Sequence, residues 1–229
     1  RSIATLKSHL GKIEDALTRA LCWSATWDML RDAEISATDF IDIALSGLAG
    51  EDDIATVTII GNQLTSAIEI YSAPTRRDSA RLKVGNAYEQ MVKAAADGSD
   101  HQLQYARNFT AFASSAEHND LIKELLDGKL SGLKVDADLR WTFVIALAER
   151  GLMDKAALSA ELLKDNTLTG QLSHATCLAA LPTAAAKEET WKSITTEEIS
   201  TSLREAKLVG FMRPLHRPPH RRPRPPPTR

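Results

Sequence analysis

Apolar positions recur along this chain at intervals of three and four residues, and alternation of apolar with polar residues is nearly absent. That spacing paints one face of a helix with 3.6 residues per turn and does not suit a strand. It predicts helices over 2–10, 14–33, 37–49, 52–72, 76–96, 100–114, 117–127, 137–150, 154–164, 168–181, 184–194 and 197–210. Start signals support several of them: Ser36 with Asp39 three residues on, Thr195 with Glu198, and Ser99, Asp136 and Thr183. Gly50, Gly98, Gly128 and Gly151 stand where helices should stop. Short helices joined by short loops suit a bundle or an α-solenoid. A weak echo of Trp-bearing helices, at Trp23, Trp141 and Trp191, selects the second. The expected fold class is all-α, a curved α-solenoid of HEAT/armadillo-like helix pairs.

The densest stretch is RALCWSATWDMLRDAEI, Arg19 to Ile35. Ala16, Ala20, Trp23, Trp27 and Leu30 form a stripe that Leu17, Leu21, Cys22, Ala25, Met29 and Ala33 broaden. A helix this apolar is expected between layers, with no chemistry of its own. The Trp23 and Trp27 indole N–H groups then need acceptors, for which Asp28 or a neighbouring carbonyl is in reach.

Charge divides the chain. Residues 1–212 carry 22 basic and 30 acidic residues, a net of −8, whereas residues 213–229 hold six Arg, seven of the nine Pro and no acid. The body therefore reads as one helical domain over 1–212 and the tail, 213–229, as a disordered Pro/Arg-rich segment. Three origins fit that tail. It is a basic arm for nucleic acid, a polyproline II ligand, or an out-of-frame end, since GC-rich coding sequence read in the wrong frame yields Pro and Arg runs. The abrupt change after LREAKLVGF favours the last, and the acidic body argues against nucleic acid.

The start, RSIATLKSHLGKIED, has no apolar core, so it is not read as a signal peptide, and no Met, so the chain is expected to be a fragment of a longer protein whose localisation signals lie with the rest. No apolar run reaches the ~20 residues a bilayer needs. Cys22 and Cys177 lie far apart with no CxxC, which suits reduced thiols and a cytoplasmic location.

Catalytic patterns are missing. There is no GxGxxG, GxxxxGK[ST] or GxSxG. His9, His101, His118 and His174 are never four residues apart, so no H-E-x-x-H zinc helix exists. His101 is read as a surface or interhelix hydrogen-bond partner, and Glu51–Asp52–Asp53 and Glu188–Glu189 as carboxylates at helix starts. No nucleophile, base and oxyanion hole assemble.

Four segments in order carry a resemblance: RALCWSATWDMLRDAEISATDFI, SDHQLQYARNF (99–109), DADLRWTFVIALAERG (136–151) and TCLAALPTAAAKEETWKSI (176–194). Together they resemble the C-terminal helical domain of the actinobacterial aminopeptidase N family, zinc aminopeptidases that remove N-terminal residues from peptides. The resemblance covers residues 1–212. It implies a domain that closes over an N-terminal catalytic domain and gates a peptide chamber. The family's zinc ligands and Gly–Ala–Met–Glu–Asn motif lie before this region, so no catalytic, metal or cofactor residue carries over and the chain alone is expected to be inactive. Family members continue through further helices where this chain turns into its Pro/Arg tail. Arg140 is the one substrate-binding candidate, for a peptide carbonyl or terminal carboxylate, against a competing interhelix salt bridge. The expected partners are the catalytic domain and a peptide, with no membrane. The alternative function is a free-standing helical-repeat scaffold that binds a protein.

Overall fold

A computed structural model describes residues 2–213. The tail from Pro214 onward, and the disorder expected of it, lie outside the described residues. Among these residues the chain is all-α, with no strand. Its helices are α1 (Ser2–His9), α2 (Ala16–Arg31), α3 (Ala37–Leu48), α4 (Ile54–Ser66), α5 (Arg77–Ala94), α6 (Asp100–Phe112), α7 (Ala116–Leu126), α8 (Ala137–Glu149), α9 (Lys155–Lys164), α10 (Leu168–Ala180), α11 (Ala184–Thr196) and α12 (Thr201–Phe211). No helix among them is long and apolar enough to cross a membrane. Residues up to Ala146 form one compact unit and those from Leu147 a second.

Side-chain caps explain most starts. Ser36 Oγ accepts from the Asp39 N–H at 3.0 Å, Ser99 Oγ from Gln102 at 3.1 Å and Thr183 Oγ1 from Ala186 at 3.2 Å. Asp136 does the same for Leu139 at 2.8 Å. Thr195 does not start a helix. It lies inside α11 with its hydroxyl turned back to the Trp191 carbonyl, and Ser200 caps α12 instead. A Ser or Thr inside a helix can bond its own preceding turn, so a cap pattern alone is ambiguous.

The stretch expected as one helix over 52–72 changes character midway. After Ser66 the chain widens into a π turn, Ala67–Tyr71. Arg81 of α5, 8% exposed, reaches Glu69 within that turn at 2.5 Å, and the Ser72 hydroxyl donates to the Ala67 carbonyl at 2.9 Å. These tertiary ties hold the wider turn in place.

In the first unit α1 packs on α3, and α6 packs on both α4 and α5. Phe40, Ile43, Leu64, Tyr88, Phe109 and Phe112 are fully buried there, with Tyr88 stacked on Phe112 at 5.4 Å. His118, 1% exposed, is a core histidine: Nδ1 accepts from the Ser114 N–H at 3.2 Å, so Nε2 carries the proton toward Asn86 Oδ1 at 2.9 Å.

Helix α2 is not buried on all sides. Its core face is Arg19, Trp23, Thr26 and Leu30, while Leu17 and Leu21 are 68% and 62% exposed. The face turned inward is therefore centred partly on polar residues. Thr26 returns its hydroxyl to the Cys22 carbonyl at 2.6 Å. Arg19, 4% exposed, donates through Nη1 to the Ile13 and Glu14 carbonyls and through Nη2 to the carboxylates of Glu51 (3.1 Å) and Asp52. Trp23 Nε1 donates to Glu51 Oε2 at 2.8 Å, so Glu51, and not Asp28, is the indole's acceptor. Glu51 also accepts from the Asp53 N–H at 3.1 Å, and only Asp53 of the acidic trio caps α4. Trp23, Trp141 and Trp191 all lie within helices but differ in burial: Trp191 is 57% exposed, whereas Trp23 and Trp141 are each 4% exposed.

The glycine stop signals divide. Gly98, Gly128 and Gly151 have φ of 72°, 70° and 70°, but Gly50 is required for a close approach: a Cβ there would lie 2.0 Å from the Gly11 carbonyl oxygen. Ala33 takes the same left-handed conformation at φ 61° as α2 ends, with the Glu34 N–H bonded to the Met29 carbonyl at 2.8 Å.

Two expectations follow for denaturant unfolding followed by helical and tryptophan signals. Ala33→Gly stabilises the first unit by about 0.5–1 kcal/mol, because glycine removes the left-handed penalty and keeps the terminal bonds. Glu51→Gln destabilises it by up to about 3–5 kcal/mol, because the buried Arg19 loses its buried charge partner and keeps only the exposed Asp52.

Candidate functional site

A cleft of about 460 Å³ in the first unit opens beside this buried pair. Three segments build it. The turn between α3 and α4 supplies Ala49 to Asp52, the end of α5 supplies Met91 and Ala94 to Ala96, and the first turns of α6 supply Ser99, His101 and Tyr105. The walls are methyl groups and a thioether, and the polar groups gather on the Glu51 side.

Each polar group has an assigned state. His101 Nε2 lies 2.9 Å from the Glu51 carbonyl oxygen, which only accepts, so Nε2 carries the proton. This bond ties α6 to the turn before α4, the interhelix role expected for His101. The ring meets Tyr105 edge-on at 5.7 Å. The Tyr105 hydroxyl donates to the Leu48 carbonyl at 3.4 Å, and burial first, then the charge of Glu51, pushes its ionisation upward. Ser99 is committed to capping α6. The Asp52 carboxylate pairs with Arg19, yet its side chain is 79% exposed, so it puts negative charge at the rim. The cleft can hold a short apolar or cationic group; it contains no activated nucleophile.

Arg140 does not line this cleft. It is half-buried on α8, and its Nη1 reaches the Leu126 carbonyl at the end of α7 at 3.4 Å. A guanidinium at a helix C-terminus satisfies a carbonyl left over by the helix and opposes the dipole. Glu51 is the residue the sequence reading missed. A signal was present: Arg19 falls on an apolar helix face, and a buried guanidinium requires a buried carboxylate.

The cysteines are both free, with Cys22 half-buried and Cys177 buried. Burial pushes the Cys177 thiol up to about 12, far from a nucleophile's range. Among the described residues no three His, Cys, Asp or Glu side chains come together as a metal seat.

Comparison with known proteins gives this helical body a context. A family model described as the ERAP1-like C-terminal domain matches residues 1–221, running past the point where the Pro/Arg composition begins. Aminopeptidase N of Streptomyces lividans is 41% identical over 215 residues, which cover 93% of this chain and 25% of that protein. The chain thus spans about a quarter of the length of that relative. A match of this reach, on a body that is all-helical among the described residues, places the chain in the ERAP1-like C-terminal domain family.

Proposed function

We propose that this chain is the C-terminal, peptide-chamber domain of a zinc-dependent aminopeptidase that removes N-terminal residues from peptides. The observation that carries the reading is the identity to aminopeptidase N over nearly the whole chain, with the match confined to a quarter of that relative. Zinc and the hydrolytic machinery belong, in this reading, to the catalytic portion that the chain does not span, and that portion is its partner. The free cysteines support a reducing, cytoplasmic setting.

In this reading the domain positions and selects the peptide while the bond is broken elsewhere. Closure over the catalytic portion excludes long substrates and bulk water. Apolar walls at Met91 and Ala94 to Ala96 take the body of the peptide, and the Asp52 rim, within a body of net −8, draws cationic peptides inward. Arg140 is assigned the peptide's carbonyl or terminal carboxylate.

The chain alone, assayed with and without zinc, is expected to show no peptidase turnover; turnover would overturn the reading. For steering, residues 1–212 are joined to the catalytic portion of the Streptomyces lividans enzyme. Asp52→Asn in that chimera lowers the kcat/KM preference for Lys-rich over neutral peptides by about two- to fivefold at low salt, and about 0.5 M salt abolishes the difference. An unchanged preference defeats the steering. Arg140→Lys separates the two roles of that residue: a substrate contact raises KM with unfolding unchanged, whereas a helix cap shifts unfolding and leaves KM alone.

A further inference from the structure

The second unit holds a separate cavity of about 110 Å³ among α9, α10, α11 and α12. Lys155 reaches it from α9, His174 from α10, Glu189 and Thr190 from α11, and Lys207 from α12. The His174 Nε2 is buried and has no hydrogen-bond partner. An orphaned buried polar atom is rare enough to require an explanation, and an unseen bound group is one of the few available.

The surrounding charges say what kind of group fits. The Lys155 ammonium is matched by Glu189 at 2.8 Å. The Lys207 ammonium donates to Ser193 Oγ at 2.5 Å, and that hydroxyl donates in turn to Glu197 at 2.6 Å, so Lys207 meets a carboxylate only through a neutral hydroxyl. The lining itself carries two ammonium groups, Lys155 and Lys207, against the one carboxylate of Glu189. Thr190, 6% exposed, adds a hydroxyl. A water molecule would satisfy the imidazole and leave the lining's excess of ammonium over carboxylate as it is. A cation is repelled by the two lysines. A drug-sized or peptidic ligand does not fit, since such sites run to about 300–1,000 Å³.

We propose that this cavity binds a small oxyanion, of the size of acetate or inorganic phosphate, held by the His174 Nε2–H, the Lys207 ammonium and the Thr190 hydroxyl. Such bonds, with charge on donor or acceptor, are short and strong when water is excluded. The site is independent of the peptide-chamber reading and rests on no residue used there.

The pH behaviour has a definite sign. Burial holds the His174 imidazole below its ordinary 6.5, so it is neutral at pH 7 without a ligand. The charged groups that face it are Lys155 on α9, Glu189 on α11 and Lys207 on α12. A bound anion favours the imidazolium and raises its pKa. By reciprocity the anion binds more tightly as pH falls through that range.

The test uses the full 229-residue chain. The ring carbon signals of His174 are titrated by NMR in chloride, phosphate, sulfate or acetate at equal ionic strength. The expected result is a His174 pKa higher by about 0.5 or more in at least one oxyanion than in chloride. Acetate acting without phosphate assigns a carboxylate site, and the reverse assigns a phosphate site. Lys207→Gln should weaken the response at least about tenfold, the loss of one charged hydrogen bond. Lys192→Gln, the same charge change at an exposed position of α11, should leave it intact. A His174 pKa identical in all four salts overturns the proposal, as does equal weakening by the two lysine variants. The wild-type titration decides the matter even if Lys207→Gln does not fold.

Discussion

A guanidinium in the middle of a buried helix face is tolerated only when its charge is matched and its donors are occupied. Arg19 meets that condition through Glu51, and the arrangement of the first unit follows from it. Glu51 carries Arg19 and Trp23 on one carboxylate, takes the Asp53 N–H on the same group, and offers its own carbonyl to His101. One residue thereby fixes α2 and the start of α4 through its carboxylate and the start of α6 through its backbone carbonyl. The cleft beside it inherits that geometry, because Glu51, Asp52 and His101 all line it. Loss of the carboxylate would leave the buried Arg19 with only the exposed Asp52 and loosen α2 and the start of α4 together, which is why a pair of little net worth in itself is a strong constraint on structure.

The fold class was legible because helices write their period into the sequence, and most caps were legible because Ser36, Ser99, Asp136 and Thr183 precede their helices at the right spacing. What the sequence concealed was pairing across distance. The apolar stripe on α2 suggested burial of Leu17 and Leu21, yet the buried face runs through Arg19 and Thr26. Residue type alone does not reveal that Arg19 is neutralised by a residue 32 positions away or that Thr26 bonds its own helix. The π turn at Ala67–Tyr71 was concealed for the same reason, since Arg81 and Ser72 help to hold it. In the candidate site, His101 was given its role from sequence, whereas Glu51 was read as a helix-start carboxylate when it is the buried hub.

The second unit uses the same device at its own margin. Glu149, 4% exposed at the end of α8, accepts from Arg213 Nε at 3.0 Å. Arg213 follows α12 directly, so the residue at which the composition turns basic is held by a buried carboxylate. Cys177 lies in the field of the same guanidinium, yet burial outweighs that attraction and keeps the thiol protonated. A cation nearby lowers a thiol's pKa, but desolvation disfavours the thiolate more when the sulfur is almost fully enclosed.

The division of labour proposed for this domain agrees with where its charges are spent. Arg19, Arg81 and Glu149 are buried and paired, and Lys7 bridges Asp39 and Asp42 at 2.7 and 2.8 Å. Groups committed in this way hold helices together and are not available for proton transfer. What remains toward solvent in this cleft is an apolar floor with one acidic edge, a surface suited to binding and orienting a chain. A hydrolytic site needs the opposite arrangement: a polarising group, a base and a nucleophile with unsatisfied valence, held against the reacting bond. In the proposed division of labour this surface would serve recognition, and the chemistry would belong to the portion of the relative that the chain does not span.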